Sequence, residues 1–557
     1  MTALVVGFSL PAAASGTSPM LISLADEEVL IYSAEDEKFN DWGSKFQLQP
    51  AAPGPDLNRE QWIDCPTIDD PVCDFNKPGY SPLYWLTLPN CLVVNSENCL
   101  EGFAIRKDGV LQEAEYLGPV PAGQGYLGNP ELGLIEGGVA SLYRVPGAPH
   151  SGGDFYAVTA QASQDLGLNR RTFRTAELYV YVFPVSLENP SIANQYPGTM
   201  VCMWTTQSTC AFSRDFDLEV RPQVTVRVTN EVGGWFLGRM KAPDISVTPI
   251  SSRSNKLVVE AAPVEVARFG YKTKKSELTL QDRIATGNSG SFGALDGEGS
   301  VRIGNGGYDT SNFGMISYFR NKVNDTAIGT TTHWGIRTTD RDDGNRCLAD
   351  KTQVLGIVST NSMVYDGFSP RFNNGFLDYR VGGLHLMPDG KTPVVGTYDL
   401  VMRSETARCL YGFSNAPISA TVTVTGTGNL NVASTVVSER DGWLKLAAYG
   451  FTFSEKNIKV KVTQAQSRTL TKSTARNITL TSKQKSEVKA VLAKSSGNTK
   501  FICTGTFVKA SDRTLALQRA RAACNYGKSL NKNFSFFAQA KVTKAASFDG
   551  RVMVVSK

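Results

Sequence analysis

Between Leu218 and Val232 the chain reads LEVRPQVTVRVTNEV, with Val220, Val224, Val226 and Val228 on alternate positions and polar or charged residues between them. Successive side chains of an extended strand point to opposite faces, so this spacing specifies a strand with one dry face and one wet face. The same kind of run recurs as ELYVYVFPV, DISVTPI and KLVVEAAPVEVARF. It returns further on as MISYFR, QVLGIVS, TYDLVMRS, ISATVTVTG and WLKLAAYGFTF, with glycine-rich turns such as GSFGALDGEGSVRIGNGG. The expected fold class is mainly β, with two or more β-sandwich or barrel-like regions, placed at residues 131–275 and 276–464. Composition agrees, since 27 Phe, 19 Tyr and 51 Gly among Val/Thr-rich runs suit strands and turns. Helix bundles are richer in Ala, Leu, Glu and Lys.

Ten cysteines sharpen this picture. Cys65 and Cys73, Cys91 and Cys99, and Cys202 and Cys210 share one spacing, with Pro, Asn, Ser or Thr between them. That spacing suits a short loop whose ends come within disulfide reach. Pairing the remaining four as Cys347 with Cys409 and Cys503 with Cys524 leaves none over. Zinc is a poor reading, because its paired cysteines usually lie two to four residues apart and His150, His333 and His385 are scattered. Five disulfides imply an oxidising compartment. The apolar start TALVVGFSLPAAASG, closed by Ala12, Ala13 and Ala14, reads as a truncated signal peptide over residues 1–16. Residues 17–130, rich in Pro, Gly, Asn and Asp, read as a loop-rich region stapled by disulfides. No later run is long and apolar enough for a membrane-spanning helix. The expected location is extracellular or at a cell surface.

Charge divides the chain. From Glu455 to Lys557 there are 21 Lys and Arg against 4 Asp and Glu; the whole chain holds 57 against 52, so the remainder carries 36 against 48. A tail of +17 therefore follows a body of −12. QAQSRTLTKSTARN reads as the linker, with the boundary near residue 465. Beyond it the order β-α-β-α-β-β is expected for 465–557. NITL is the first strand, SKQKSEVKAVLAKSS is a helix capped by Ser482 with Val488, Val491 and Leu492 on one face, and NTKFICTGTFV is a strand. SDRTLALQRARAACNYGKSL is a helix capped by Ser511 or Asp512, with Ala516, Ala520, Ala523 and Cys524 on one stripe. FSFFAQAKV and RVMVVSK close the module.

Over about the last ninety residues the chain resembles the OmpA-like, peptidoglycan-associated C-terminal domain. Gly505 stands at the family's strand-ending Gly, and Asp512, Leu515, Ala516, Arg519 and Ala520 occupy positions of its second-helix motif. The resemblance implies a small α+β domain that grips the diaminopimelate of a cell-wall peptide. Arg519 would hold a carboxylate bidentately and a loop Asp would hold the amine. The segment TGTFVKAS contains no acid, so that Asp has no counterpart there. In its place Lys500, Lys509, Arg513, Arg519, Arg521 and Lys528 are expected to cluster near one edge as a site for anionic polymers.

Catalytic and metal candidates are weaker. Ser289 in TGNSGSFG lacks the setting of a serine nucleophile. Asp340, Asp342 and Asp343 with Asn345 offer oxygens to calcium, but they read better as a turn. Asp296 and Glu298 are the only carboxylates near one another in LDGEGS, and glycosidase chemistry requires two facing each other across a cleft. Trp204 and Trp334 would stack on sugars or fill a core.

The expected function is that of a secreted, non-enzymatic bacterial envelope protein without cofactor, attached to peptidoglycan or another anionic wall polymer. Its ligand-binding residues would be Arg519, Asp512, Arg513, Arg521, Lys509 and Lys528. The β regions are expected to meet a protein or glycan, with no nucleic-acid partner. The alternative is a secreted carbohydrate-active hydrolase with a wall-anchoring module.

Overall fold

The computed structural model describes residues 27–33, 42–50, 62–74, 77–91, 97–166, 172–195, 202–286, 300–303, 311–339, 344–411, 418–426, 434–453, 456–464, 467–473, 476–493, 500–543 and 549–556. The signal-like N-terminal run lies outside them, as do Ser289, Asp296, Glu298 and the calcium candidates Asp340, Asp342 and Asp343. The chain is mainly β and forms two compact units, residues 1–406 with 422–437 and 443–460, and residues 407–421 with 438–442 and 461–557. Among the described residues no helix is long and apolar enough to cross a membrane.

In the first unit the strand Arg221–Thr229 follows its sequence pattern at every position, with Pro222, Val224, Val226 and Val228 buried and the residues between them half-exposed. It is the middle of a five-stranded sheet ordered Lys241–Pro249, Ser254–Ala262, Arg221–Thr229, Cys99–Lys107 and Val110–Glu113, all antiparallel. A longer sheet runs through Lys45–Pro50, Tyr80–Thr87, Phe155–Asp165, Arg174–Glu188, Gly329–Thr339, Gly234–Arg239, Val354–Thr360, Val395–Arg403 and Trp443–Thr452. Along that path only Gly234–Arg239 and Val354–Thr360 run parallel. Buried residues of both sheets share one core, Val224, Val226 and Leu257 from the first and Val180, Ile336 and Val401 from the second. Phe103 joins them, its ring 5.5 Å from Tyr143 and 5.7 Å from Tyr156.

Two expectations change here. The boundaries at 130/131 and 275/276 do not separate compact regions, because Tyr80–Thr87 pairs with Phe155–Asp165 and Arg174–Glu188 pairs with Gly329–Thr339. Strands drawn from all three segments share one sheet, and a sheet cannot be cut without exposing its ladder hydrogen bonds. The run ELYVYVFPV is not half-buried either. Leu178, Val180 and Val182 face the shared core, while Tyr179, Tyr181, Phe183 and Val185 face a second cluster with Trp42, Ala157, Trp204 and Ala211.

The disulfides Cys65–Cys73, Cys91–Cys99, Cys202–Cys210 and Cys503–Cys524 are formed, with Cα atoms 5.1–5.8 Å apart. Cys347 and Cys409 are also oxidised.

In the second unit a four-stranded sheet is ordered Ser467–Thr469, Val552–Ser556, Lys500–Phe507 and Ser535–Val542. Helices Ser482–Leu492 and Arg513–Leu530 connect these strands in the chain. Lys500–Phe507 and Ser535–Val542 run parallel, a pairing that needs a crossover, and Arg513–Leu530 supplies it. The first strand is therefore Ser467–Thr469, inside the segment read as a linker, and NITL forms no strand. Leu470, fully buried, anchors that segment in the module's core. The first helix is capped by Thr481 rather than Ser482: Thr481 accepts the Gln484 amide and Gln484 accepts the Thr481 amide. Asp512 precedes the second helix without a side-chain capping bond.

Candidate functional site

The helix Arg513–Leu530 lies close on its sheet because its buried face is small. Ala516, Ala520, Ala523, Cys524 and Gly527 are buried. Gly505 does not end its strand, which continues to Phe507. Its role is clearance, since a Cβ there would collide with the Ala516 carbonyl oxygen.

Arg519 is buried and braced. Its Nε donates to the Asn477 carbonyl at 3.0 Å and one Nη donates to the Gly550 carbonyl at 3.2 Å. Burial pulls its guanidinium below the ordinary value, against the charges of Asp549 and Asp512. Asp549, from the turn before the last strand, accepts the Val508 amide at 3.0 Å. An acid therefore does reach the TGTFVKAS segment, from 41 residues further along the chain. Sequence spacing could not reveal it, because the final turn brings it there.

Lys500, Lys509, Arg513, Arg521 and Lys528 are exposed. At about 100° per residue, Arg513, Arg521 and Lys528 fall within an arc of about 80°, while Arg519 lies about 160° from Arg521. The expected single cluster is thus divided, with a row of exposed cations on one flank of the helix and a buried brace on the other.

The remaining sequence candidates are structural or apart from one another. Trp204 packs 5.1 Å from the Trp42 ring, and Trp334 donates to the Ala261 carbonyl at 3.0 Å. Both are core residues. His150 accepts the Gly152 amide, His333 meets the Thr331 hydroxyl, and His385 pairs with Asp325. Asn345 accepts the Cys347 amide at 2.9 Å. Among the described residues no group of three or more His, Cys, Asp or Glu is placed to hold a metal.

A second polar site, not anticipated from the sequence, lies in the first unit where the strand Lys241–Pro249 of the five-stranded sheet meets Val395–Arg403 of the longer one. Asp399 is 4% exposed, yet it lines a cavity of about 270 Å³ with Arg221, Ala242, Asp244, Lys445 and Tyr449. The Tyr449 hydroxyl donates to one carboxylate oxygen at 2.5 Å and the Ala242 amide to the other at 3.1 Å. Burial pushes the Asp399 carboxyl up to about 6, against these hydrogen bonds and the charges of Lys241 and Arg221. Burial, then the Asp399 charge, raises Tyr449. Burial, then Arg221, lowers Lys445, which pairs with Asp244. Arg221 donates to Asp244, to Glu260 and to the Ala242 carbonyl. Ala242 holds φ 51° on a bulge between Lys241 and Asp244, a conformation that costs a non-glycine residue about 1 kcal/mol. The cost persists where surrounding bonds fix it, and such strain gathers at functional sites. In the sequence the only sign was Asp399 itself, a carboxylate inside the apolar strand TYDLVMRS.

Comparison with known proteins finds no family model and no curated protein that matches this sequence.

Proposed function

We propose that this chain is an exported, non-enzymatic bacterial surface or envelope protein, docked to an anionic cell-wall polymer by its basic C-terminal module, in which we read the OmpA-like arrangement. One observation carries the reading: Arg513, Arg521 and Lys528 stand exposed along one flank of a helix, with exposed Lys509 just before it. Such a row attracts a polyanion through its field without a shaped pocket. Oxidised cysteines support export. Arg519 serves this reading as a brace that ties the segments at Asn477 and Gly550 to the helix, leaving attachment to the exposed row.

The test is pelleting of the full chain with purified anionic wall material across a salt series. Binding should fall at least tenfold between 50 mM and 500 mM NaCl, because exposed charges are screened over about 8 Å at physiological ionic strength. The quadruple variant Lys509→Glu, Arg513→Glu, Arg521→Glu, Lys528→Glu should lose binding while melting as the parent does. Binding that resists salt, or that survives the four reversals, would defeat the proposal.

A further inference from the structure

We propose that the cavity at Asp399 is a glycan-binding subsite that takes one neutral sugar ring, with the adjoining cavity taking the next. The site is independent of wall docking, and either reading can fail alone. Three observations carry it.

The first is the mixture of charge. Asp399 and Asp244 share the cavity with Arg221 and Lys445, and Lys241 stands over the Tyr449 ring at 5.1 Å. An anionic ligand would meet two carboxylates and a cationic one would meet three cations. A hydroxyl both donates and accepts, so a polyol can satisfy such a wall without burying an unpaired charge.

The second is the apolar part of the lining, Pro243, Val401 and Ala447, which stands among the polar groups. A sugar ring presents a C–H face as well as hydroxyls, and the removal of that face from water against these residues is favourable.

The third is extent. At about 270 Å³ the cavity lies just under the range of about 300–1,000 Å³ typical of pockets for drug-sized ligands, which suits one ring. A neighbouring cavity of about 490 Å³ shares Arg221 and Ala242 as its wall, and Glu265, Thr330 and Asn361 offer it further polar groups. The strained bulge at Ala242 stands between the two, its amide turned to Asp399 and its carbonyl to Arg221. Two adjoining spaces with a common polar partition fit consecutive units of an oligosaccharide.

The experiment titrates the full chain by calorimetry with cellotriose, maltotriose, xylotriose, chitotriose and, as the anionic counterpart, trigalacturonate. At least one neutral trisaccharide should bind saturably. Its affinity should drop at least tenfold in Asp399→Asn and, where that variant folds poorly, in Lys445→Met, whose side chain is only partly buried. Tyr449→Phe, which removes a single hydroxyl, should weaken binding several-fold. Absence of binding by every neutral trisaccharide overturns the proposal. So does binding of trigalacturonate alone, or neutral binding that all three substitutions leave unchanged.

Discussion

The two units handle charge in opposite ways. In the β unit, carboxylates and cations are matched across strands. Glu260 receives both Arg106 and Arg221, and Glu101 receives Arg227 and Lys256. Burial works against Glu260, but its two arginines hold it below the ordinary carboxylate range. In the C-terminal unit the cations greatly outnumber the acids, and the row Arg513, Arg521 and Lys528 faces solvent. Paired charges fix strand register and contribute no long-range field. Unpaired surface charges leave the fold nearly indifferent and reach outward to a partner. The contrast teaches that the chain's modest net charge of +5 describes neither part.

The largest expected effect tests whether the C-terminal unit owes its fold to close helix-on-sheet packing rather than to charge. Gly505→Ala places a methyl against the Ala516 carbonyl, a backbone group that cannot swing aside. The expected loss is about 4 kcal/mol, in the range where single substitutions abolish marginal domains. Calorimetry of the full chain should show the transition of the C-terminal unit lost or strongly lowered and that of the β unit unchanged. An unchanged thermogram would mean that the helix does not sit where Gly505 requires it.

Periodicity made the strands legible where only one face is buried, as at Arg221–Thr229. It failed at Arg174–Glu188, because the second face is covered by Trp42, Ala157, Trp204 and Ala211, partners remote in sequence. The local cysteine spacing found its pairs because a short loop needs no knowledge of the fold. The Asp399 site was illegible for the reverse reason. Its parts at Arg221, Ala242, Asp399 and Tyr449 are assembled by sheet register, which no local pattern encodes. Arg519 was legible as a distinctive residue, but its partners Asn477 and Gly550 were not.

A smaller effect probes an acid of the β unit whose burial outweighs the charges around it. Asp399 is raised from the usual carboxylate value to about 6. Between roughly pH 4 and pH 6 the folded chain keeps this proton while the unfolded chain releases it, so its contribution falls as pH rises through that window and is flat above it. At 1.36 kcal/mol per pKa unit the loss is about 3 kcal/mol. Other carboxyls run the opposite way, among them Glu260, Glu101 and Asp282, all held below their ordinary values. The difference between parent and Asp399→Asn isolates the site. Denaturant unfolding at pH 4, 5, 6 and 7 should show the variant gaining on the parent as pH rises. A difference independent of pH would mean that Asp399 is not raised by its burial.

The smallest effect concerns how the C-terminal unit, rich in cations and short of acids, holds the helix Ser482–Leu492. Thr481 and Gln484 exchange hydrogen bonds across the helix start, and Gln484 also donates to the Thr471 carbonyl at 2.7 Å and to the Ser473 hydroxyl at 3.1 Å. Three residues beyond the last member of the capping pair, Glu487 accepts both the amide and the hydroxyl of Thr471, each at 2.8 Å. A neutral cap and one buried acid thus secure the segment that leads from strand Ser467–Thr469 to the helix. Thr481→Ala removes only the reciprocal bond at the cap and should cost about 1 kcal/mol, because Gln484 and Glu487 keep their ties to residues 471–473. In a module of this size that lowers the melting temperature by roughly 4–8 °C. No charge changes, so attachment to wall material at low salt should equal the parent's below the melting range. If the substitution instead weakens attachment while the module remains folded, the binding surface includes the helix start, and charge alone does not account for the difference between the two units.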